Sequence, residues 1–215
     1  MALFLDSADV KEAQRAMQMG FVAGVTTNPA LLARIGRPAY DVISELCSLC
    51  QGPVFHQLTA SSLPEMQEEA ERFHAIAPGR VVMKIPCNFT GLQLTSQLSD
   101  AIPCALTAVF SAAQVYLACE ADARYVIPYV NRTTRLCGDG IALVCQMAGI
   151  VERAGSGTEI VAASLKTPAE MGEAILNGAH HVTIPLQLIE GMAEHKLSAL
   201  AIEEFVRAAA DQTRA

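Results

Sequence analysis

A lysine stands in the middle of a run of residues that otherwise has the composition of a buried strand. The run is RVVMKIP at residues 80–86, and the lysine is Lys84. A charge in an apolar strand costs several kcal/mol unless it is paired, neutralised or used. Desolvation lowers the pKa of a lysine, so that part of it becomes the neutral amine that adds to carbonyl groups. The position of Lys84 therefore indicates Schiff-base chemistry.

A purely structural role for this lysine is the alternative. Of the four lysines in the chain, only Lys84 lies within an apolar strand. The other three, in helical or loop-like contexts, are Lys11, Lys166 and Lys196. A salt bridge from Lys84 to Asp6 would satisfy the buried charge without catalysis. Both interpretations remain open from the sequence.

Other polar side chains are suited to assist an imine reaction. Forming and dehydrating a carbinolamine moves protons to and from the carbonyl oxygen. Gln57, Thr107 and Tyr129 are suited to hold a water for this transfer, with the phenol as proton donor or acceptor. Asp6 and Asn28 are suited to bind the hydroxyls of a polyol. These five residues are the candidates for the reacting end of a substrate.

An arginine three residues beyond Tyr129 is a candidate for binding a phosphate. Arg132, in YVNRTTR, offers a bidentate fork, and Arg135 is a second candidate. The alternative is that this arginine is simply solvated in an exposed loop. A phosphate site would make the substrate a sugar phosphate.

The elements that must position these residues alternate along the chain. Short apolar runs are separated by segments with helical periodicity, which is typical of parallel βαβ units. Eight strands are predicted: residues 2–6, 22–27, 53–58, 81–86, 103–110, 125–130, 159–164 and 181–185. This number predicts an α/β fold of the (β/α)8 TIM-barrel class, with residues 1–215 as a single domain. A further C-terminal helix over about 197–212 is expected to cap the barrel or to pack on a neighbouring subunit.

Each predicted strand has a polar residue at or near its end: Asp6, Thr26, Gln57, Lys84, Thr107, Tyr129, Ser164 and Thr183. In a barrel these ends share the face where such proteins assemble their sites. Side chains alternate along a strand, so Val82 shares the interior with Lys84, while Met83 and Ile85 face the helices. The same rule pairs five polar ends with interior residues two positions earlier: Phe4, Phe55, Ala105, Ile127 and Ala162. We therefore expect a polar layer above an apolar plug.

Composition limits the class of partner. The net charge of −7 and the scattered basic residues argue against a nucleic-acid partner. The sequence shows no targeting segment and no apolar span long enough for a membrane, so we expect a soluble cytoplasmic protein.

The seven cysteines suggest reduced thiols, and the CxxC at Cys47 and Cys50 has the spacing of helix packing as well as of metal sites. We expect no metal and no cofactor.

The ordered motifs resemble those of the transaldolase family. GVTTNPALL at 24–32 is similar to its first signature, and VVMKIP at 81–86 with GLQL at 91–94 resembles the segment around its Schiff-base lysine. LFLDSADV, FHQLTA, TAVFSAAQ, YVIPYVNR and AASLKTP most closely resemble the short branch with fructose-6-phosphate aldolase activity. The resemblance covers essentially the whole chain. It implies a (β/α)8 barrel with metal-free class I aldolase chemistry, in a homo-oligomer of pentameric rings that stack into a decamer.

The resemblance also implies roles for individual residues. Lys84 would form the imine. Asp6 and Asn28 would contact the donor hydroxyls, and Gln57, Thr107 and Tyr129 would hold the catalytic water. Arg132 and Ser164 would bind the acceptor phosphate. Thr26 and Ile127 complete the candidate substrate-binding residues.

Two of these positions separate the branches of the family. Transaldolases proper resemble this plan but have glutamate at the position of Gln57 and phenylalanine at that of Tyr129. The pair favours an aldolase that reversibly cleaves fructose 6-phosphate into dihydroxyacetone and glyceraldehyde 3-phosphate. A transaldolase and a non-catalytic sugar-phosphate-binding ring are the alternatives. Ile127 stands where the aldolases that this chain resembles have a smaller residue. It therefore predicts a ketone donor that is smaller or less hydroxylated than dihydroxyacetone.

Overall fold

Eight parallel strands close into one barrel in the computed structural model, which describes residues 1–212. Each strand pairs with the next in the chain, and the first pairs with the last. The strands are β1 Ala2–Asp6, β2 Val22–Thr26, β3 Val54–Gln57, β4 Val81–Pro86, β5 Cys104–Val109, β6 Tyr125–Pro128, β7 Glu159–Ala162 and β8 His181–Ile184. All eight predicted strands are confirmed, and several are one or two residues shorter than predicted.

Helices surround this barrel. They are α1 Val10–Gln18, α2 Pro29–Ile35, α3 Ala39–Leu49, α4 Leu63–His74, α5 Phe89–Leu98, α6 Ala112–Glu120, α7 Val130–Leu136, α8 Gly140–Ala154, α9 Pro168–Leu176, α10 Leu186–Met192 and α11 Lys196–Gln212. Within residues 1–212, no helix is both long and apolar enough to span a membrane. The prediction of a (β/α)8 barrel with an additional C-terminal helix is confirmed.

Side-chain caps begin several helices soon after the strands end. Asn28 Oδ1 accepts from Leu31 N at 3.0 Å at the start of α2, and Asn88 Oδ1 accepts from Gly91 N at 2.8 Å at the start of α5. Such caps satisfy amide groups that have no partner in the first helical turn. Short connections between strand and helix therefore have a defined path at the carboxyl-terminal face of the barrel.

The barrel interior is filled by one cluster of apolar side chains. Its buried members are Phe4, Phe55, Val82, Ala105, Tyr125, Ile127, Val161 and Ala163. A second cluster, between strands and helices, contains Met83 and Ile85. Four of the five predicted interior positions are therefore confirmed, as is the outward direction of Met83 and Ile85.

The prediction for β7 is wrong. Val161 and Ala163 belong to the interior cluster, whereas Ala162 packs between strands and helices. The reason is that β7 ends at Ala162 and Ser164 has a φ of 61°, in the left-handed region. Strand alternation counted back from Ser164 therefore places Ala162 in the interior, although Val161 and Ala163 are the residues that face it.

The amino-terminal end of the barrel is closed by His181. Its ring lies 5.4 Å from the ring of Phe4 and 5.9 Å from that of Tyr125, and its Nε2 is 3.3 Å from Glu159 Oε2. Burial lowers the pKa of His181. The candidate site is thus confined to the opposite end.

Candidate active site

A pocket of about 510 Å³ opens at the carboxyl ends of the strands. Nine of the ten residues predicted from the sequence line it: Asp6, Thr26, Asn28, Gln57, Lys84, Ile127, Tyr129, Arg132 and Ser164. The tenth, Thr107, is fully buried beside the pocket, and its Oγ1 donates to Tyr129 Oη at 3.2 Å. Residues from six different strands or strand ends therefore meet in one cavity.

Lys84 lies near the middle of this arrangement and is 5% exposed. Its Nζ donates to the backbone oxygen of Thr27 at 2.8 Å. Burial lowers the pKa of Lys84 to about 8, and the nearby charge of Asp6 opposes that shift. The ion pairs of the described residues do not include one between Lys84 and Asp6. The amine is held by a neutral carbonyl and lines the pocket.

Asp6 occupies the end of β1 beside a pair of hydroxyls. Burial raises its pKa, while the charge of Lys84 and a hydrogen bond from Thr26 lower it. Thr26 Oγ1 lies 3.2 Å from Asp6 Oδ1 and 2.6 Å from Thr183 Oγ1. This chain of side chains crosses from β1 through β2 to β8 and orients the carboxylate.

Tyr129 is fixed by contacts on several sides. It is the N-terminal cap residue of α7, and its hydroxyl is bonded by Thr107. The Arg132 guanidinium carbon lies 4.7 Å from the centre of the Tyr129 ring, and Phe110 meets the ring edge-on at 5.8 Å. A cation over an aromatic face is an attractive arrangement. The phenol and the guanidinium therefore enter the pocket side by side.

Gln57 brings an amide to the same pocket from the end of β3. Its backbone is in register with Lys84 on β4. Its Oε1 is buried and has no hydrogen-bond partner among the described residues. A buried amide oxygen of this kind is suited to hold a polar group of a ligand.

Glu170 connects helix α7, which carries Arg132, to the loop after β7, which carries Ser164. Glu170 Oε1 accepts from Asn131 Nδ2 at 2.6 Å, and Glu170 Oε2 accepts from Lys166 N at 2.7 Å. Asn131 N also donates to Ser164 O at 3.3 Å. The first turn of α7 and the loop after β7 are thereby held together.

Three further polar residues line the pocket that were not among the candidates: Arg34, Lys166 and Thr183. Thr183 could have been included, since it ends a strand like the others. Lys166 lies in a loop and Arg34 in the last turn of α2, where local sequence gives no sign of a pocket. Only the path of the chain over the barrel brings these two cations to the site.

The fold and the pocket define a (β/α)8-barrel protein with a buried lysine at the carboxyl-terminal face. Residues 3–215 match the profile of the Transaldolase/Fructose-6-phosphate aldolase family, and the chain belongs to that family. This is the enzyme family that the sequence motifs indicated.

Curated relatives are similar over nearly their whole length. A protein of Bacillus cereus named probable transaldolase 1 is 38% identical over 207 residues, which is 96% of each chain. One of Clostridium botulinum named probable transaldolase is 36% identical over 208 residues, covering 96% of this chain and 95% of the relative.

A solved structure supports the fold. The inosine 5′-monophosphate dehydrogenase of Legionella pneumophila superposes with a TM-score of 0.63 over 87% of this chain and 58% of that protein, at 14% identity. At this identity the likeness shows the barrel alone.

Proposed function

We propose that the protein is a class I aldolase that reversibly cleaves fructose 6-phosphate, or a close analogue, into dihydroxyacetone and glyceraldehyde 3-phosphate. The observation that carries the proposal is the buried Lys84 amine, which has a lowered pKa and lines a sugar-sized pocket. A neutral amine at this position is a nucleophile for a ketone carbonyl.

The reaction begins when Lys84 Nζ adds to the carbonyl carbon of the ketose. The carbinolamine oxygen takes up a proton and leaves as water, which produces an iminium. A base then removes the proton of the C4 hydroxyl, the C3–C4 bond breaks, and its electron pair neutralises the iminium as an enamine while the aldehyde departs. Protonation of the enamine carbon and hydrolysis of the imine release the ketone and restore the amine.

Proton transfer is the role that we propose for the phenol. Tyr129 acts as general acid and base through a water held with Gln57 and Thr107. The 3.2 Å contact between Thr107 and the phenol, and the unpaired buried oxygen of Gln57, support this assignment. Asp6, Thr26 and Asn28 bind donor hydroxyls on the adjoining side of the pocket.

The acceptor phosphate binds on the opposite side. Arg132 offers a planar fork of donors beside Tyr129, and Ser164 and Lys166 lie on the loop that Glu170 holds next to it. Ile127 bounds the pocket from below.

Transaldolase activity is the second candidate, and the names of the curated relatives favour it. In a transaldolase the enamine waits for a second aldose phosphate instead of being hydrolysed. Gln57 and Tyr129 favour the aldolase because the family resemblance gives transaldolases proper a glutamate and a phenylalanine at these positions. A ring that binds sugar phosphates without turnover is the third alternative.

Borohydride trapping tests the imine. We expect that incubation with fructose 6-phosphate, followed by reduction, places a three-carbon adduct on Lys84, located by peptide mass. The matched control is Lys84→Met, which keeps an unbranched side chain of similar length but removes the amine. It should give no adduct and no turnover. Absence of an adduct from fructose 6-phosphate, dihydroxyacetone and hydroxyacetone would overturn the proposal.

Release of the ketone separates the two enzyme activities. An aldolase should release free dihydroxyacetone from fructose 6-phosphate alone. Release only after addition of an aldose phosphate, with ping-pong kinetics, would assign the protein as a transaldolase.

A further inference from the structure

The pocket is a positive region in a negative protein. The chain has a net charge of −7, yet Arg34, Lys84, Arg132 and Lys166 all line this one cavity, and Asp6 is the acidic residue among its described lining. The proposed aldolase uses Lys84 for the imine, and Arg132 and Lys166 for one phosphate. Arg34 is left without a role.

Arg34 and Arg132 approach the cavity from opposite sides. Arg34 is on α2, which follows β2, and Arg132 is on α7, which follows β6. In the closed order of the barrel, three strands separate β2 from β6 in either direction. The imine-forming Lys84, on β4, is midway between them along one of these routes. A ligand that reaches both guanidinium groups must extend across the mouth of the barrel.

The charge of Arg34 is not neutralised within the described part of the chain. The ion pairs and side-chain hydrogen bonds found there do not involve its guanidinium. The contrast is Arg37, three residues on, whose Nη1 lies 2.8 Å from Glu45 Oε2. An unpaired guanidinium that lines a pocket has free donors for a bidentate contact with a phosphate.

Asp6 does not prevent an anion from binding beside Arg34. Asp6 is held deep at the end of β1 by the hydroxyl of Thr26, and the charge of Lys84 acts on it. Arg34 is exposed at the rim. The negative charge of Asp6 lies deep in the pocket and the positive charge of Arg34 lies at its rim. This arrangement suits a ligand whose hydroxyls lie near Asp6 and whose anionic end lies near Arg34.

We propose that Arg34 binds a second phosphate, so that the pocket accepts linear sugar phosphates with a phosphate at each end. For the aldolase reaction this means a ketose bisphosphate or a phosphorylated hydroxyketone donor. The inference rests on the proposed function in that it takes the Arg132 side as the first phosphate site. It requires no step of the imine chemistry.

Two ligands without a carbonyl group test the site. Glucitol 6-phosphate and glucitol 1,6-bisphosphate cannot form an imine or be cleaved, and their dissociation constants are measured by titration calorimetry at fixed ionic strength. We expect the bisphosphate to bind at least about tenfold more tightly than the monophosphate, as charge-assisted bidentate contacts are strong. Arg34→Gln should remove this difference and leave the monophosphate unchanged.

Arg37→Gln is the matched control, because it removes an equal charge from a neighbouring position that pairs with Glu45 and does not line this pocket. It should retain the tenfold difference. Equal affinity of the two ligands for the native protein, or a bisphosphate preference that survives Arg34→Gln, would overturn the inference. An equal loss in Arg37→Gln would assign the effect to general surface charge and would also overturn it.

The two proposals fail in different ways. No borohydride adduct, together with Arg34-dependent binding of the bisphosphate, would reject the aldolase and retain the phosphate site. An adduct without any preference for the bisphosphate would do the reverse. If neither glucitol phosphate binds, the pocket is not a sugar-phosphate site and the inference is wrong.

Discussion

Lys84 and Asp6 each alter the proton affinity of the other. Burial lowers the pKa of Lys84 to about 8, and the negative charge of Asp6 keeps it from falling further. Removing that charge in Asp6→Asn should therefore lower the pKa of Lys84 again. We expect the rate of Lys84 acetylation by acetic anhydride, followed by peptide mass, to rise through a midpoint near pH 8 in the native protein and at a lower pH in the variant.

The exposed lysines Lys11 and Lys196 are internal references for this measurement. Their acetylation profiles should be the same in both proteins. A Lys84 midpoint that stays fixed, or moves to higher pH, in Asp6→Asn would contradict the coupling.

We propose that Ile127 limits the pocket volume available to the donor. It is 1% exposed, belongs to the interior cluster and lines the pocket. Ile127→Ala removes three carbons at the pocket wall, so we expect kcat/KM for dihydroxyacetone relative to hydroxyacetone to rise about tenfold. The cavity should also lower the free energy of unfolding by about 2–4 kcal/mol, measured by chemical denaturation.

The control for Ile127→Ala is Ile160→Ala on β7. Ile160 is fully buried but packs between strands and helices, so its truncation should cost similar stability without changing donor preference. A similar change of preference in both variants would show that it follows from lost stability and not from pocket volume.

The strand β5 changes the direction of its side chains at Ala108. Its pairing with β6 is shifted between Thr107 and Val109, and Ala108 has a φ of 58°. Thr107 consequently contacts Tyr129 on the pocket side, whereas Val109 packs in the second cluster, between strands and helices. In a regular strand both would face the same way. The local kink thus turns Val109 outward immediately after Thr107, while Val109 still pairs with Pro128 on β6.

Glycine is the residue suited to a left-handed position, so Ala108→Gly relieves strain in the folded state. We expect the free energy of unfolding to rise by up to about 1 kcal/mol in chemical denaturation. The control is Ala113→Gly, at an exposed position of α6, which should lower it by about 1 kcal/mol. A decrease in both variants would contradict the assignment of strain to Ala108.

The C-terminal helix α11 leaves an apolar surface uncovered. Its large apolar side chains are all exposed: Leu197, Leu200, Ile202, Phe205 and Val206. Ile202, Phe205 and Val206 have the spacing of one helix face, which is expected to be buried against a partner. We propose that this face packs on a second copy of the chain, as the predicted pentamer or decamer requires.

Charges on that face should separate the subunits. We expect the native protein to sediment as a pentamer or decamer, and the double variant Ile202→Glu with Phe205→Glu to sediment as a smaller species with unchanged circular dichroism of the barrel. Glu203→Gln, on the same helix, is the control and should keep the native size. A monomeric native protein, or an unchanged size in the double variant, would contradict this assembly.

The sequence was sufficient for features that depend on local pattern. Strands and helices follow from apolar periodicity, and a lysine inside VVMKIP is conspicuous because its neighbours are apolar. Polar strand ends meet at one face in any parallel barrel, so Asp6, Gln57 and Tyr129 could be placed in a common site before their distances were known. The family motifs added roles that periodicity alone does not give.

The remaining features of the pocket and of the strands depend on how the barrel closes in three dimensions. Arg34 and Lys166 belong to the pocket because α2 and the loop after β7 return over its rim. The local sequence of a helix or loop does not predict that path. The faces of β7 and the break in β5 depend on left-handed residues at Ser164 and Ala108, which are neither glycine nor asparagine and so give no signal in the sequence. The pKa of Lys84 depends on burial by distant strands and on Asp6, because desolvation and charge act through space rather than along the chain.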